Sequence, residues 1–79
     1  MKLLSVCALD NRRLRIEYQN GETKIFDITP YLKGDWMGAL GNPEYFKQVS
    51  IEPEFQDTVV WPDGQDIAPH ELYELSVAA

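Results

Sequence analysis

The single histidine, His70, stands among Asp63, Asp66, Glu71 and Glu74, and an imidazole beside carboxylates is the raw material of acid–base chemistry or of a divalent-metal site. A structural or catalytic metal needs three or four protein ligands, however, and one imidazole without further nitrogen donors at the start of a helix reads as a surface residue. Asp63-Gly64-Gln65-Asp66 offers oxygen donors in a loop but lacks the alternating ligands and closing glutamate of a calcium loop, and a tight turn accounts for the same residues. Glu52 and Glu54 would share one face of a strand, as the carboxylate pair of a glycosidase shares a cleft. That chemistry also needs an enclosing substrate groove, which 79 residues scarcely supply. Cys7 would be nucleophilic only where a base or positive field lowered its pKa; between Val6 and Ala8 it reads as a small core hydrophobe. With no second cysteine it has neither a disulfide partner nor a zinc co-ligand. No catalytic, cofactor-binding or metal residue is therefore designated, and the chain is expected to be a non-enzyme working without a cofactor.

Charge is the stronger signal. Thirteen carboxylates face seven Lys and Arg, and the resulting net charge of −6 repels phosphate backbones and anionic lipid, which argues against direct nucleic-acid or membrane binding. The imbalance is uneven. Residues 1–33 carry six basic and four acidic side chains, whereas residues 34–79 set Lys47 alone against nine acids, a local charge of −8. Such a surface steers a basic partner, and its candidate contacts are Glu52, Glu54, Asp57, Asp63, Glu71 and Glu74, which flank turns and helix starts. The Arg12-Arg13-Arg15 cluster lacks interleaved aromatics and is a weak nucleic-acid signal. Apolar runs are interrupted early by Asp10, Asn11 and Arg12 and never approach the roughly 20 residues of a bilayer span, so neither a signal peptide nor a membrane segment is expected, and a reducing cytoplasmic compartment suits the free cysteine.

The elements that must position these residues follow from periodicity and turn chemistry. Leu3 to Leu9 reads as a strand, Asp10-Asn11-Arg12 as a turn, and the alternation of Leu14, Ile16 and Tyr18 with Arg13, Arg15 and Glu17 as a strand with one buried face. Asn20-Gly21 predicts a two-residue type I′ turn, which pairs Ile16 with Ile25 on the buried face, Glu17 with Lys24 outside, and turns Phe26 and Ile28 to the opposite face. Thr29-Pro30 and Asn42-Pro43 are helix-start pairs, and Trp36, Met37 and Leu40 form an apolar cluster placed to cover the sheet. Glu52 to Phe55 reads as an edge strand or extended link, Thr58 to Trp61 as a better strand, Pro62 to Gln65 as a β-turn, and Ala68-Pro69 as the opening of a last helix through Leu72 and Leu75. The expected order is β-β-β-α-β-β-α in one domain, residues 1–79: an α+β fold with a small antiparallel or mixed sheet and short helices on one face. Trp61 is expected in the core with its N–H satisfied.

The hairpin ending in Asp27 and Pro30 with Gly21 at its turn, then Phe46, Trp61, Gly64, Asp66, Leu72 and Tyr73, resembles the small bacterial family called domain of unknown function 2442, over nearly the whole chain. The resemblance implies a compact α+β domain with no catalytic residues to carry over. Members of that family occur fused to a helix-turn-helix domain, or encoded beside another small protein in an arrangement suggesting toxin–antitoxin pairs. Charge and resemblance together lead to the expectation of a protein-interaction module, an antitoxin-like or accessory partner in a small bacterial operon, with a basic protein as its partner and room for a homo-oligomer. The alternatives are a DNA-associated regulatory domain acting through a partner's helix-turn-helix, and a small-molecule-binding domain built on the Trp61 to His70 region.

Overall fold

A computed structural model describes residues 1–79. Strands β1 (Leu3–Leu9), β2 (Arg13–Tyr18) and β3 (Thr23–Asp27) form an antiparallel meander, and β6 (Val77–Ala78) adds to the far side of β3, giving the order β1-β2-β3-β6. A second, two-stranded sheet joins β4 (Ser50–Ile51) to β5 (Val59–Val60). Three short helices, α1 (Gly34–Gly38), α2 (Pro43–Phe46) and α3 (Pro69–Glu74), complete the α+β fold, and none is long and apolar enough to cross a membrane.

The hairpin register differs from the expectation. Ile16 lies opposite Lys24, Arg15 opposite Ile25 and Leu14 opposite Phe26. The reason lies in the turn, where Asn20 keeps a negative φ and only Gly21, at φ 93°, is left-handed, whereas a type I′ turn requires both. The Tyr18 N–H donates to the Glu22 carbonyl at 2.8 Å, the Gly21 N–H to the Tyr18 carbonyl at 3.0 Å, and the Glu22 N–H to Asn20 Oδ1 at 3.0 Å. The loop therefore has three residues, and the one-residue change turns Phe26 and Ile28 onto the Leu14–Ile16 face and Ile25 away from it. Phe26 and Ile28 are buried while Ile25 is half-buried.

Trp61-Pro62-Asp63-Gly64-Gln65 repeats that loop. The Trp61 N–H donates to the Gln65 carbonyl, the Gly64 N–H to the Trp61 carbonyl, both at 2.9 Å, and Gly64 sits at φ 92°. The β-turn thus begins at Trp61, with Pro62 in the position where its fixed φ is favourable.

Along β1 a bulge between Leu3 and Ser5 changes the side-chain parity, so that Leu3, opposite Tyr18, faces inward together with Val6 and Ala8, opposite Ile16 and Leu14. Cys7 consequently projects outward opposite Arg15 and is exposed, not the core residue expected. The helical layer and the second sheet cover only the inward face, contributing Leu40, Phe46, Val59, Trp61, Ile67 and Leu72 to a core shared with Leu3, Leu14, Ile16, Tyr18, Phe26 and Ile28.

Other local expectations are revised for physical reasons. Asp27 Oδ1, not Thr29, accepts the Thr29 N–H at 2.9 Å, and Thr29–Tyr31 forms a single 3-10 turn. Asn42 does cap α2, accepting the Glu44 N–H at 2.9 Å with Pro43 at the first helical position. Glu52 to Phe55 is a turn and not an edge strand, because the Glu52 carboxylate accepts the N–H groups of Glu54 and Phe55. Trp36 is 55% exposed and does not cover the sheet; Leu40 does. The expected element order also lacked β6, which follows α3 directly.

Candidate functional site

Of the six candidate acids, two are committed to the fold. Glu52 caps its own turn, and Glu71, half-buried, accepts the Tyr31 hydroxyl at 2.9 Å. Glu54 and Asp63 are exposed on separate turns, and the Asp63 backbone rather than its carboxylate is engaged: its N–H donates to the Tyr45 hydroxyl at 2.8 Å and its carbonyl accepts the Trp36 indole N–H at 3.2 Å. Asp57 and Glu74, 17 positions apart in sequence, are brought together as lining residues of one open cleft of about 520 Å³.

The cleft is assembled by backbone pairing. The Leu3 N–H donates to the Gln56 carbonyl at 2.8 Å, which holds Asp57 against the start of β1, and the Leu3–Tyr18 pairing brings the end of β2 to the same place. Helix α3, opened by Pro69, supplies the opposite wall with Pro69, His70, Tyr73 and Glu74, and Met1 lies at the rim. His70 is thus an exposed residue of the cleft mouth, and no group of three or more His, Cys, Asp or Glu side chains converges with metal-holding geometry.

Tyr18 forms the floor. Its ring meets Tyr73 edge-on, with centroids 5.2 Å apart and planes at 82°. The residue is 2% exposed and its hydroxyl has no hydrogen-bond partner within the chain. Burial, reinforced by Tyr73 and Glu22, pushes this phenol up to about 12. Tyr73 itself is engaged, donating its hydroxyl to Glu22 Oε1 at 2.5 Å; that bond draws the Glu22 carboxyl below its ordinary value and raises the Tyr73 phenol. Lys24 closes the group from β3, with Nζ donating to the Tyr73 carbonyl at 2.7 Å and lying 3.8 Å from its ring centroid, where a cation also complements the carboxyl end of α3.

Asp57 and Glu74 take part in neither of the chain's ion pairs, Arg15–Glu17 and Glu44–Lys47, and their carboxylates have no hydrogen-bonding side-chain partner. A cleft lined by Tyr18, Tyr73 and two unengaged carboxylates suits a cation with donors of its own, such as an ammonium or guanidinium group. Sequence reasoning named Asp57, Glu74 and Tyr73 without joining them and read Tyr18 only as core. The alternation of β2 assigns Tyr18 to the buried face but carries no sign that it would line a cleft shared with Asp57 and helix α3, 39 to 56 positions away.

A protein-family model described as "Protein of unknown function (DUF2442)" matches residues 3–78. No curated protein and no solved structure matches the chain.

Proposed function

The chain belongs to the family described as protein of unknown function (DUF2442), a description that names no activity, and from that premise we propose that it is a non-enzymatic protein-interaction module that receives a basic partner on its acidic half. The observation that carries this reading is that Asp57 and Glu74, neither in an ion pair, line one open cleft together with Tyr18 and Tyr73. A lysine or arginine side chain entering the cleft would neutralise both carboxylates and meet the aromatic surface of Tyr73. In this proposal the protein is an antitoxin-like or accessory member of a small bacterial operon, acting in the cytoplasm beside the protein encoded next to it.

The test is association kinetics with that neighbouring gene product. Paired substitution Asp57→Asn and Glu74→Gln should slow association and flatten its salt dependence, since exposed charges act mainly through encounter rate. An unchanged rate and salt slope would remove the cleft from the interface. Retention on DNA only in the presence of that partner would instead favour the regulatory role through a helix-turn-helix. A second reading is favoured by the cleft volume, which falls in the range of small-molecule sites: a small organic cation as the ligand. Thermal stabilisation by free amines but not by the partner would select it.

A further inference from the structure

Strand β1 ends the larger sheet, and along Ser5–Leu9 no further strand pairs with its outer edge. The direction of each peptide group follows from the ladders. The Tyr18–Glu22 and Arg12–Ile28 bonds place the even-numbered residues of β2 in the hydrogen-bonded pairs with β3, so the odd-numbered ones, Arg13, Arg15 and Glu17, bond to β1. Their partners Leu9, Cys7 and Ser5 therefore point their N–H and C=O groups inward, and those of Val6 and Ala8 point to the free edge. At one end the edge is closed by the Leu3 N–H to Gln56 carbonyl bond, and at the other by the turn Asp10–Arg12. The gap takes one short strand.

Exposed edges are normally guarded by charge or proline, yet Leu3–Leu9 contains neither. We propose that this edge is a homodimer interface, in which β1 pairs antiparallel with β1 of a second copy about a two-fold axis at Cys7. The occupant follows from the spacing. Val6 and Ala8 carry the only outward peptide groups and lie two residues apart, so a second β1 running antiparallel sets Val6 opposite Ala8 of the other copy, and Ala8 opposite Val6, matching all four donors and all four acceptors. Registers centred on Val6 or on Ala8 match only half of them. The strand contributes no charge to oppose its copy, and the −8 of residues 34–79 lies outside it. The pairing joins two four-stranded sheets into one of eight strands.

Cys7 then faces Cys7 of the other copy in a non-hydrogen-bonded pair on the exposed face, where Cα atoms approach to about 4.5 Å, within reach of a disulfide. The cysteine reports the register and does not create the interface.

Sedimentation of the full chain at tens of micromolar should give twice its 9.1 kDa mass, for the wild type in reductant and for Cys7→Ser alike. Cys7→Lys sets like charges directly opposite across the axis and should raise the dimer dissociation constant about fivefold with unchanged circular dichroism. Val6→Pro, which deletes an outward donor from each copy, should weaken the dimer further; should that variant fail to fold, Cys7→Lys decides. Mild oxidation of the wild type should yield a Cys7-linked dimer at a rate independent of protein concentration. A single-chain mass for the wild type, or equal dissociation constants for Cys7→Ser and Cys7→Lys, would overturn the proposal.

Discussion

Tyr73 packs edge-on against Tyr18 and gives its own hydroxyl to Glu22, so that of two phenols 5.2 Å apart one is satisfied and the other is buried with nothing to bond. Removing the orphaned group should therefore not harm the fold. Tyr18→Phe is expected to match or exceed wild-type stability by up to about 1 kcal/mol, because an unpaired buried hydroxyl is unfavourable. Chemical denaturation of the free protein checks this. A loss of more than about 1 kcal/mol would show that the hydroxyl is already satisfied.

The phenols and carboxylates fix the pH limits of stability. Burial raises Tyr18 to about 12, burial followed by Glu71 raises Tyr31, and the Glu22 bond raises Tyr73. A folded pKa above the unfolded value of about 10 contributes stability that is complete below pH 10 and is lost as pH climbs through the folded value. Glu22 is held low first by the Tyr73 hydroxyl, Asp27 by the Thr29 N–H and Glu52 by the Phe55 N–H, so their contributions are present above about pH 4 and disappear as pH falls through the folded values. Melting temperature against pH should be a plateau falling at both ends. Phenolate absorbance should show one tyrosine ionising near pH 12, and that step should be missing in Tyr18→Phe.

Trp61 is 2% exposed, stacks on Phe46 at 5.8 Å between centroids, and donates its indole N–H to the Phe46 carbonyl at 2.9 Å. Trp61→Ala should lower stability by about 3–5 kcal/mol, a large part of the roughly 4–12 kcal/mol expected for a chain of this size. A variant that retained its wild-type midpoint would contradict the core assignment.

Gly21 and Gly64 occupy the same position in two copies of one loop, at φ 93° and 92°. A β-branched residue is strained there by about 1–3 kcal/mol even though open space surrounds a side chain at Gly21. Gly21→Val and Gly64→Val should destabilise to a similar degree, measured as paired shifts in denaturation midpoint. An unaffected Gly21→Val would show that the turn tolerates a negative φ.

What the chain discloses in advance is its local chemistry. The β2 alternation, the Asn42-Pro43 cap and the burial of Trp61 are each set by neighbouring residues, and each is found as expected. The hairpin register was not legible, because Asn-Gly is compatible with both a two-residue and a three-residue loop, and the choice rests on whether Asn20 adopts positive φ. The wrong choice placed Ile25 inside and Lys24 outside. The outward turn of Cys7 depends on a bulge, which period-2 reasoning cannot anticipate, and β6 is two residues long and exists only through Lys24 and Ile25 of β3. The cleft is least legible of all. It needs Tyr18, Asp57 and Glu74 together, and only the Leu3 to Gln56 bond and the docking of α3 bring them there.

The central claim, that this cleft receives a cationic side chain, is tested most directly by amide chemical shifts during titration with the blocked tripeptides Gly-Arg-Gly, Gly-Lys-Gly and Gly-norleucine-Gly. The arginine and lysine peptides should produce saturable shifts at Tyr18, Asp57, Tyr73 and Glu74, weakened at high salt and abolished by the paired substitution Asp57→Asn and Glu74→Gln, while the norleucine peptide leaves these signals in place. Shifts of equal size with norleucine, or no localised response to either cation, would contradict it.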